Sequence, residues 1–125
     1  MTPDEYQVEC RRTWTNRPIT DDDARKMHAA LGLASEAGEL AGLIIKSMYY
    51  GAECDIEKVE SELGDALWYL TMLADEYGLK ISDIMEANIA KLRARHPDGF
   101  SQDKYRASVG TNGNASCMTV RLREG

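Results

Sequence analysis

Histidine, cysteine and clustered positive charge are scarce in this sequence, and each scarcity argues against a class of protein. There are two histidines and three cysteines, and the cysteines are too widely and irregularly spaced for a disulfide framework or a CxxC zinc site. Reduced thiols suit a cytoplasmic protein. The formal net charge is −6 and no dense patch of Lys or Arg occurs, so we do not expect binding to a nucleic acid polymer.

Long hydrophobic runs are also missing. No stretch approaches the roughly 18 apolar residues of a membrane span, and the N-terminal residues are polar. We therefore expect a cytoplasmic protein that does not enter a membrane. Its 125 residues make one ordinary domain, short for an enzyme with a deep cleft, so oligomerisation would help to build one.

Helical patterns dominate the first 106 residues, where strand signals are almost absent. Thr20 with the aspartates that follow it, Asp55 and Ser82 are helix-start signals, because their oxygens accept from free backbone amides. The predicted helices cover about 2–13, 20–50, 56–77 and 82–95. With their short connections they predict an all-α fold, a four- to five-helix bundle. The apolar stripes expected to form its core are Met27, Ala30, Leu31, Ala34, Gly38, Ala41, Ile44, Ile45 and Met48 on the second helix and Ile56, Val59, Leu63, Ala66, Leu67, Leu70, Ala74 and Tyr77 on the third.

The composition changes after residue 106. Gly, Asn and Ser dominate residues 107–125, and residues 118–122 could form one short strand. We predict a helical domain over residues 1–106 and an irregular or β-like C-terminal tail over 107–125. Such a tail is typically a solvated appendage or an oligomer clasp.

Two acidic pairs carry the chemistry that the sequence indicates. Glu36 and Glu39 are three residues apart on the second predicted helix, and Glu62 and Asp65 repeat this spacing on the third. Residues three apart occupy neighbouring turns of one helix edge, so each pair can share a cation. If the two helices pack antiparallel, all four carboxylates converge on one site.

The surroundings of these acids favour a partly buried metal site. Each pair lies away from the main apolar stripe yet among further apolar residues, and clustered carboxylates there would repel one another unless a cation were bound. Oxygen ligands favour Mg²⁺, with Mn²⁺ as a substitute, and zinc would require His or Cys. The mid-helix glycines Gly32, Gly38, Gly42 and Gly64 are expected to allow close helix packing or to leave room for a ligand.

Several polar and aromatic residues are candidates for contact with a phosphorylated ligand. Asn88, Lys91 and Arg95 share one edge of the fourth predicted helix. Lys91 and Arg95 could hold polyphosphate oxygens and Asn88 could pair with a ligand, or the three could simply form a solvated basic edge with Asn88 bonded internally. Lys46 could assist phosphate or form a salt bridge with an acid. Trp68 could stack on a base, although aromatic residues on helices more often belong to the core.

The segments EAGEL (36–40), ESELGDALWYL (60–70) and NIAKLRARHPDGF (88–100) resemble the MazG-like nucleotide pyrophosphohydrolases. Their pattern is ExxE, a variable spacer and ExxD, and here it is followed by NxxKLxxRxP. The similarity spans about residues 25–106. Among the members of this family, the chain is most similar to the compact phage or bacterial ones.

This resemblance implies the all-α NTP pyrophosphatase fold, assembled as a homodimer or homotetramer with active sites near subunit contacts. It implies hydrolysis of a (deoxy)nucleoside triphosphate to the monophosphate and pyrophosphate, with Mg²⁺ bound by the four acids. It also implies substrate contacts for Asn88, Lys91 and Arg95. The base and sugar stay open, with dGTP or GTP, dUTP and dCTP all compatible.

Two other classes of function compete with this interpretation. A di-iron helical bundle also gathers carboxylates between helices, but such sites contain ExxH ligands, and neither Glu36 nor Glu62 has a histidine three residues later. A non-catalytic bundle that binds nucleotide as a regulator is the remaining alternative. The intact set of four acids argues against it, and only a product assay distinguishes the two.

Overall fold

The computed structural model describes residues 1–14 and 19–109, and within them the chain forms five helices and no strand. These are α1 (Pro3–Trp14), α2 (Asp22–Tyr50), α3 (Ile56–Glu76), α4 (Ile81–Arg95) and α5 (Gln102–Val109). The all-α prediction is confirmed. No helix in these residues combines the length and the apolar character needed to cross a membrane. The strand predicted at 118–122 lies outside the described residues, and the domain boundary at 106 stays a prediction.

Local hydrogen bonds explain where the long helices begin and end. The N-cap of α2 is Asp21, one residue after the expected Thr20, and its carboxylate accepts from the backbone N–H of Ala24 at 2.7 Å. The helix ends at Gly51, whose φ of 67° is the left-handed conformation that glycine adopts without strain. Asp55 then caps α3 by accepting from the backbone N–H of Lys58.

The chain divides into two compact units, the first from Met1 to Asn88 and the second from Ile89 onward. In the first unit α2 and α3 pack antiparallel. Arg25 near the start of α2 pairs with Glu76 at the end of α3, and Gly32 lies against the ring of Tyr69. Farther along the pair, Glu36 meets Glu62.

Helix α1 packs against α3 near the end of α3 that carries Asp75 and Glu76. Cys10 and Trp14 join Ala29 and Met72 in a cluster of buried residues. The indole N–H of Trp14 donates to Glu76 at 2.5 Å, and Arg11 forms an ion pair with Asp75, also on α3. Polar contacts and apolar burial therefore fix α1 on one side of the α2–α3 pair.

The turn between α3 and α4 is held by two polar side chains of α1. Gln7 is only 4% exposed, donates to Asp75 and to the carbonyl of Leu79, and accepts from the backbone N–H of Ile81. Asp4 accepts from the backbone N–H and the hydroxyl of Ser82. These bonds satisfy polar groups at the start of α4 that would otherwise lack partners.

The apolar stripes expected to form the core are largely exposed, so that expectation is wrong for most of their large members. Both helices are apolar on two faces, and the contact between them uses the face that also carries acids. Helical periodicity identifies apolar faces but not which face meets which neighbour. The exposed stripe residues are Met27, Leu31, Ile44, Ile45, Met48, Ile56, Leu63, Leu67, Leu70 and Tyr77.

The second unit contains the end of α4, a turn and α5. The turn passes through Gly99, which has a φ of 86°, and its N–H donates to the carbonyl of His96. Phe100 packs edge-on against His96 and near Tyr105 of α5. Residues 102–109 thus form a helix where the sequence indicated the end of the helical domain and the start of the tail.

We expect the Met72→Ala substitution to lower the free energy of unfolding by about 2–4 kcal/mol, because Met72 is completely buried and its truncation leaves a cavity. Chemical denaturation monitored by circular dichroism measures this change. Val8, 54% exposed on α1, provides the control, since Val8→Ala should change stability by less than about 0.5 kcal/mol. Equal effects of the two substitutions would contradict the described core.

Candidate metal centre

Three carboxylates meet between α2 and α3. Glu36, Glu62 and Asp65 each offer an oxygen, and these atoms lie within 4.8 Å of one another. Glu36 and Glu62 are half-buried and Asp65 is exposed, so the cluster is open to solvent on the side of Asp65. The convergence that the two ExxE-like spacings predicted therefore occurs for three of the four acids.

The packing of the helices explains why these side chains face one another. Glu36 lies on the same side of α2 as Ala29, Leu40 and Leu43, all of which are at least partly buried. One turn before Glu36, a Cβ added to Gly32 would lie 2.1 Å from the ring of Tyr69. Glycine thus allows α3 to approach closely at this point, and that approach brings the opposing carboxylates together.

Electrostatics are unfavourable for three ionised groups in this position. The pKa of Glu36 is raised above its ordinary value, first by desolvation and then by the negative charges of Glu39, Asp65 and Glu62. A hydrogen bond with Glu62 acts in the same direction. Without a counter-charge, the neighbouring carboxylates and partial desolvation therefore disfavour the ionised form of Glu36.

This donor set fits a divalent cation. Hard oxygen ligands on a few carboxylates, with one side open for water and phosphate, are the arrangement that Mg²⁺ prefers. A bound cation would offset the mutual repulsion of the carboxylates and favour the ionised form of Glu36. The residues that would hold the ion are Glu36, Glu62 and Asp65.

Glu39 follows Glu36 by about one turn on α2, and Lys46 lies about two turns farther along the same helix. Glu39 is exposed and outside the group of three, but its charge contributes to the raised pKa of Glu36. Lys46 is exposed seven residues later, about 10 Å farther along the helix. Both the carboxylate of Glu39, at the edge of the site, and the ammonium group of Lys46, farther along the helix, are thus exposed to solvent.

Trp68 lies one helical turn after Asp65, in an aromatic cluster next to the carboxylates. Its ring packs edge-on against Trp14 and Tyr69, at centroid distances of 5.5 and 4.9 Å. The indole N–H donates to the hydroxyl of Thr13 at 3.0 Å. Trp14 in turn stacks on His28 of α2 at 5.1 Å. Trp68 therefore packs against residues of α1 and also lies one helical turn from a carboxylate of the candidate site.

The three predicted substrate contacts on α4, Asn88, Lys91 and Arg95, are exposed side chains. Asn88 is the last residue of the first unit, and Lys91 and Arg95 belong to the second. All three belong to the one continuous helix Ile81–Arg95, at the spacings of three and four that place them on one edge. Their part in binding a ligand stays a prediction.

Tyr6 of α1 is partly buried against the core cluster of Cys10, Trp14, Ala29 and Met72. Burial is the main cause that raises its pKa to about 12, with contributions from a hydrogen bond with Cys10 and from the charges of Cys10 and Asp65. No short-range motif connects α1 with α3, so only the fold reveals that the charge of Asp65 acts on Tyr6.

The four mid-helix glycines differ in how closely other atoms pack against them. Gly32 is crowded, as expected, because the ring of Tyr69 packs against it. Gly38, Gly42 and Gly64 instead have no atom of the described chain within 4 Å of an added Cβ. Close packing against these three glycines is therefore absent from the described single chain.

We expect Glu36→Gln to stabilise the metal-free protein at mildly alkaline pH. In the folded chain the pKa of Glu36 lies above its ordinary value of 4.5, so the folded chain holds this proton more tightly than the unfolded chain does. The free energy of unfolding of the wild type therefore falls as the pH rises from the ordinary pKa through the folded-state pKa. Glutamine removes this loss. Thermal unfolding in chelator across the pH range measures it, and added Mg²⁺ should then stabilise the wild type more than the variant.

Glu53→Gln, in the exposed loop between α2 and α3, is the matched control and should leave the pH profile unchanged. An identical pH profile for wild type and Glu36→Gln would show that Glu36 is not under electrostatic stress.

Comparison with known proteins agrees with this geometry. A phage protein, "Gene 37 protein" of Mycobacterium phage L5, is 28% identical over 108 residues, which are 82% of this chain and 95% of that protein. No solved structure matches the chain significantly. The model of the MazG nucleotide pyrophosphohydrolase domain matches residues 26–100, a segment that contains all four acids and the substrate-binding positions expected on α4. The chain therefore belongs to the MazG nucleotide pyrophosphohydrolase domain family.

Proposed function

We propose that this chain hydrolyses a (deoxy)nucleoside triphosphate to the nucleoside monophosphate and pyrophosphate in a Mg²⁺-dependent reaction. The observation that carries this proposal is the convergence of Glu36, Glu62 and Asp65 within 4.8 Å between two helices. Family membership supports a nucleotide pyrophosphohydrolase in general. The substrate, the identity of the metal and the roles of individual residues are the parts that we propose.

We assign the four acids two roles: three are ligands of the ion, and one is a base at the edge of the site. Glu36, Glu62 and Asp65 would hold the ion, and Glu39 would lie beside them at the exposed edge of the site. Mg²⁺, or Mn²⁺ in its place, would supply positive charge that offsets the charge of the phosphate oxygens and of the leaving pyrophosphate. The half-buried position of Glu36 and Glu62 limits access of water from the side of the helix contact.

Glu39 is our choice for the residue that accepts a proton from the attacking water. Its carboxylate is exposed, outside the cluster of three and electrostatically coupled to Glu36. A base needs contact with water and freedom from the ion, and this position offers both. The other three acids are closer to one another and better placed as ligands.

Other residues would position the nucleotide. We propose that Lys91, Arg95 and Lys46 bind phosphate oxygens, since guanidinium and ammonium groups pair strongly with them, and that Asn88 donates to the substrate. Trp68 is the proposed contact for the base, because it borders Asp65 and presents an aromatic ring.

The biological setting that we propose follows from this chemistry. A cytoplasmic enzyme that removes nucleoside triphosphates would control the nucleotide pool, and the bases of dGTP or GTP, dUTP and dCTP are all compatible with the residues. Neither a nucleic acid polymer nor a membrane is a proposed partner. The assembly implied by the family pattern is a homodimer or homotetramer. A panel of triphosphates assayed under one set of conditions determines the preferred base and sugar.

We expect purified protein with Mg²⁺ to convert its preferred triphosphate into monophosphate and pyrophosphate, separated by ion-exchange chromatography. Glu62→Gln should reduce kcat at least about 100-fold, the scale of losing one charged group from an active site. Glu57→Gln, an exposed acid on the same helix, is the control and should keep full activity. Diphosphate and orthophosphate as products would refute the proposed reaction, and binding without turnover would favour the regulatory alternative.

Glu39→Gln should behave differently from the ligand variants. We expect it to abolish turnover while nucleotide binding, measured by isothermal titration calorimetry with Mg²⁺, stays within about threefold of the wild type, because the amide cannot accept the proton but leaves the ion ligands intact. Asp65→Asn is the comparison, and it should weaken binding as well as turnover. Normal turnover in Glu39→Gln would remove Glu39 from the role of base.

A further inference from the structure

The second unit has an apolar groove between the last turns of α4 and the turn that follows them. Its volume is about 480 Å³, within the range of roughly 300–1,000 Å³ that is typical of ligand sites. Its lining residues are Ile89, Leu92, Arg93, His96, Gly99 and Phe100. Ile89, Leu92 and Phe100 are 46%, 41% and 66% exposed, so the apolar lining of the groove is open to solvent.

The groove combines this apolar lining with positive charge. Phe100 is held at one end by edge contacts with His96 and Tyr105, at centroid distances of 5.8 and 6.1 Å. Arg93 lies along the groove and has no ion-pair partner among the described residues. The groove therefore fits a peptide segment with several apolar side chains and a carboxylate on the same side.

The sequence contains one such segment in the same unit. Residues 110–125 lie outside the described residues, and their only large apolar side chains are in MTVRLRE (118–124). These apolar residues occupy every second position. In an extended segment, alternate side chains point to opposite sides. One side then carries Met118, Val120, Leu122 and Glu124, and the opposite side carries both arginines.

The connection to this segment is long enough to reach the groove. Helix α5 has eight residues and is about 12 Å long. Phe100 precedes its first residue by two positions, so the end of α5 is within about 20 Å of the groove. Residues 110–117 span up to about 26 Å when extended. They carry only small or polar side chains and no charge, so nothing in this connection competes for the groove.

The two patterns match in charge as well as in apolar character. With the apolar side of the segment turned toward the groove, Glu124 lies on the side of Arg93 and can form a charge-assisted hydrogen bond with it. Arg121 and Arg123 then face solvent, away from the positive charge of the lining. The opposite orientation would bring three guanidinium groups together and expose every apolar side chain.

We propose that residues 118–124 bind as an extended segment in the groove of the same chain, with their apolar side against Ile89, Leu92 and Phe100. The chain's own segment is the occupant because a connection of eight residues keeps it near the groove at a high effective concentration. The proposal concerns the second unit alone and does not depend on the proposed hydrolysis.

Disulfide trapping in the full chain tests this contact. Leu92→Cys and Val120→Cys place one thiol in the middle of the groove and one in the middle of the segment. Cys54→Ser and Cys117→Ser remove the other accessible thiols, since Cys10 is buried. With copper–phenanthroline and dissolved oxygen as the oxidant, we expect a disulfide within one chain, because a bound segment brings the two Cβ atoms to about 4 Å.

Ala94→Cys paired with Val120→Cys is the matched control. Ala94 is exposed on the same helix but lies about 160° around it from Leu92. Mass spectrometry without reduction should show the Leu92 pair forming its intrachain disulfide at least about tenfold faster than the Ala94 pair. Equal rates would overturn the proposal. A disulfide that joins two chains would also overturn it, because the groove would then hold the segment of a second copy.

Trypsin cleavage after Arg121 tests the proposal with the groove intact, so its result stands even if the cysteine variants do not fold. Cleavage of a bound segment requires its release and follows the population of the released form. Val120→Ser removes an anchor on the inner side and should speed the cleavage about tenfold. Thr119→Ser, a change on the outer side, should leave it at the wild-type rate. The same rate in all three proteins would contradict binding in the groove.

Discussion

The carboxylates of Glu36, Glu62 and Asp65 repel one another across less than 4.8 Å, and the first unit must supply enough packing to hold them there. Ala29 and Met72, both completely buried, provide part of this packing where α2 and α3 meet α1. The close approach of Gly32 and Tyr69 provides another part. The same closeness that is costly without a cation would favour the binding of one, because a divalent ion between the carboxylates would replace their repulsion by attraction.

Helices α2 and α3 have to satisfy two demands at once, and this explains their unusual amphipathicity. The face between the two helices must surround the acids with apolar side chains, so that water does not screen their charges. The opposite, fully apolar faces then remain on the outside of the single chain. A chain of this size cannot cover both with its own residues, since small domains have little core to distribute. The acidic site between the two helices and the exposed apolar residues on their outer faces therefore have the same origin.

Much of the helical layout could be predicted from the sequence, because caps and helix breakers act locally. Asp55 and Gly51 set helix ends within a residue or two of the expected positions. The i, i+3 spacing of Glu62 and Asp65 placed both acids on one edge without knowledge of the fold. What local patterns could not give was the choice between the two apolar faces, since each has helical periodicity. The docking of α1, with Cys10 and Trp14 packed against Met72, depends on contacts between residues far apart in sequence.

The polar clamp of α1 on the α3–α4 turn has a consequence for how the chain folds. Asp4 and Gln7 bond to residues between 68 and 78 positions away, whereas the pairing of α2 with α3 closes over a short loop. Contacts between distant residues carry a larger entropic cost of loop closure and form later. During synthesis α1 is made before α4, so the bonds of Asp4 to Ser82 and of Gln7 to Ile81 can form only after the start of α4 has left the ribosome. The clamp therefore closes only when nearly the whole of the first unit has been made.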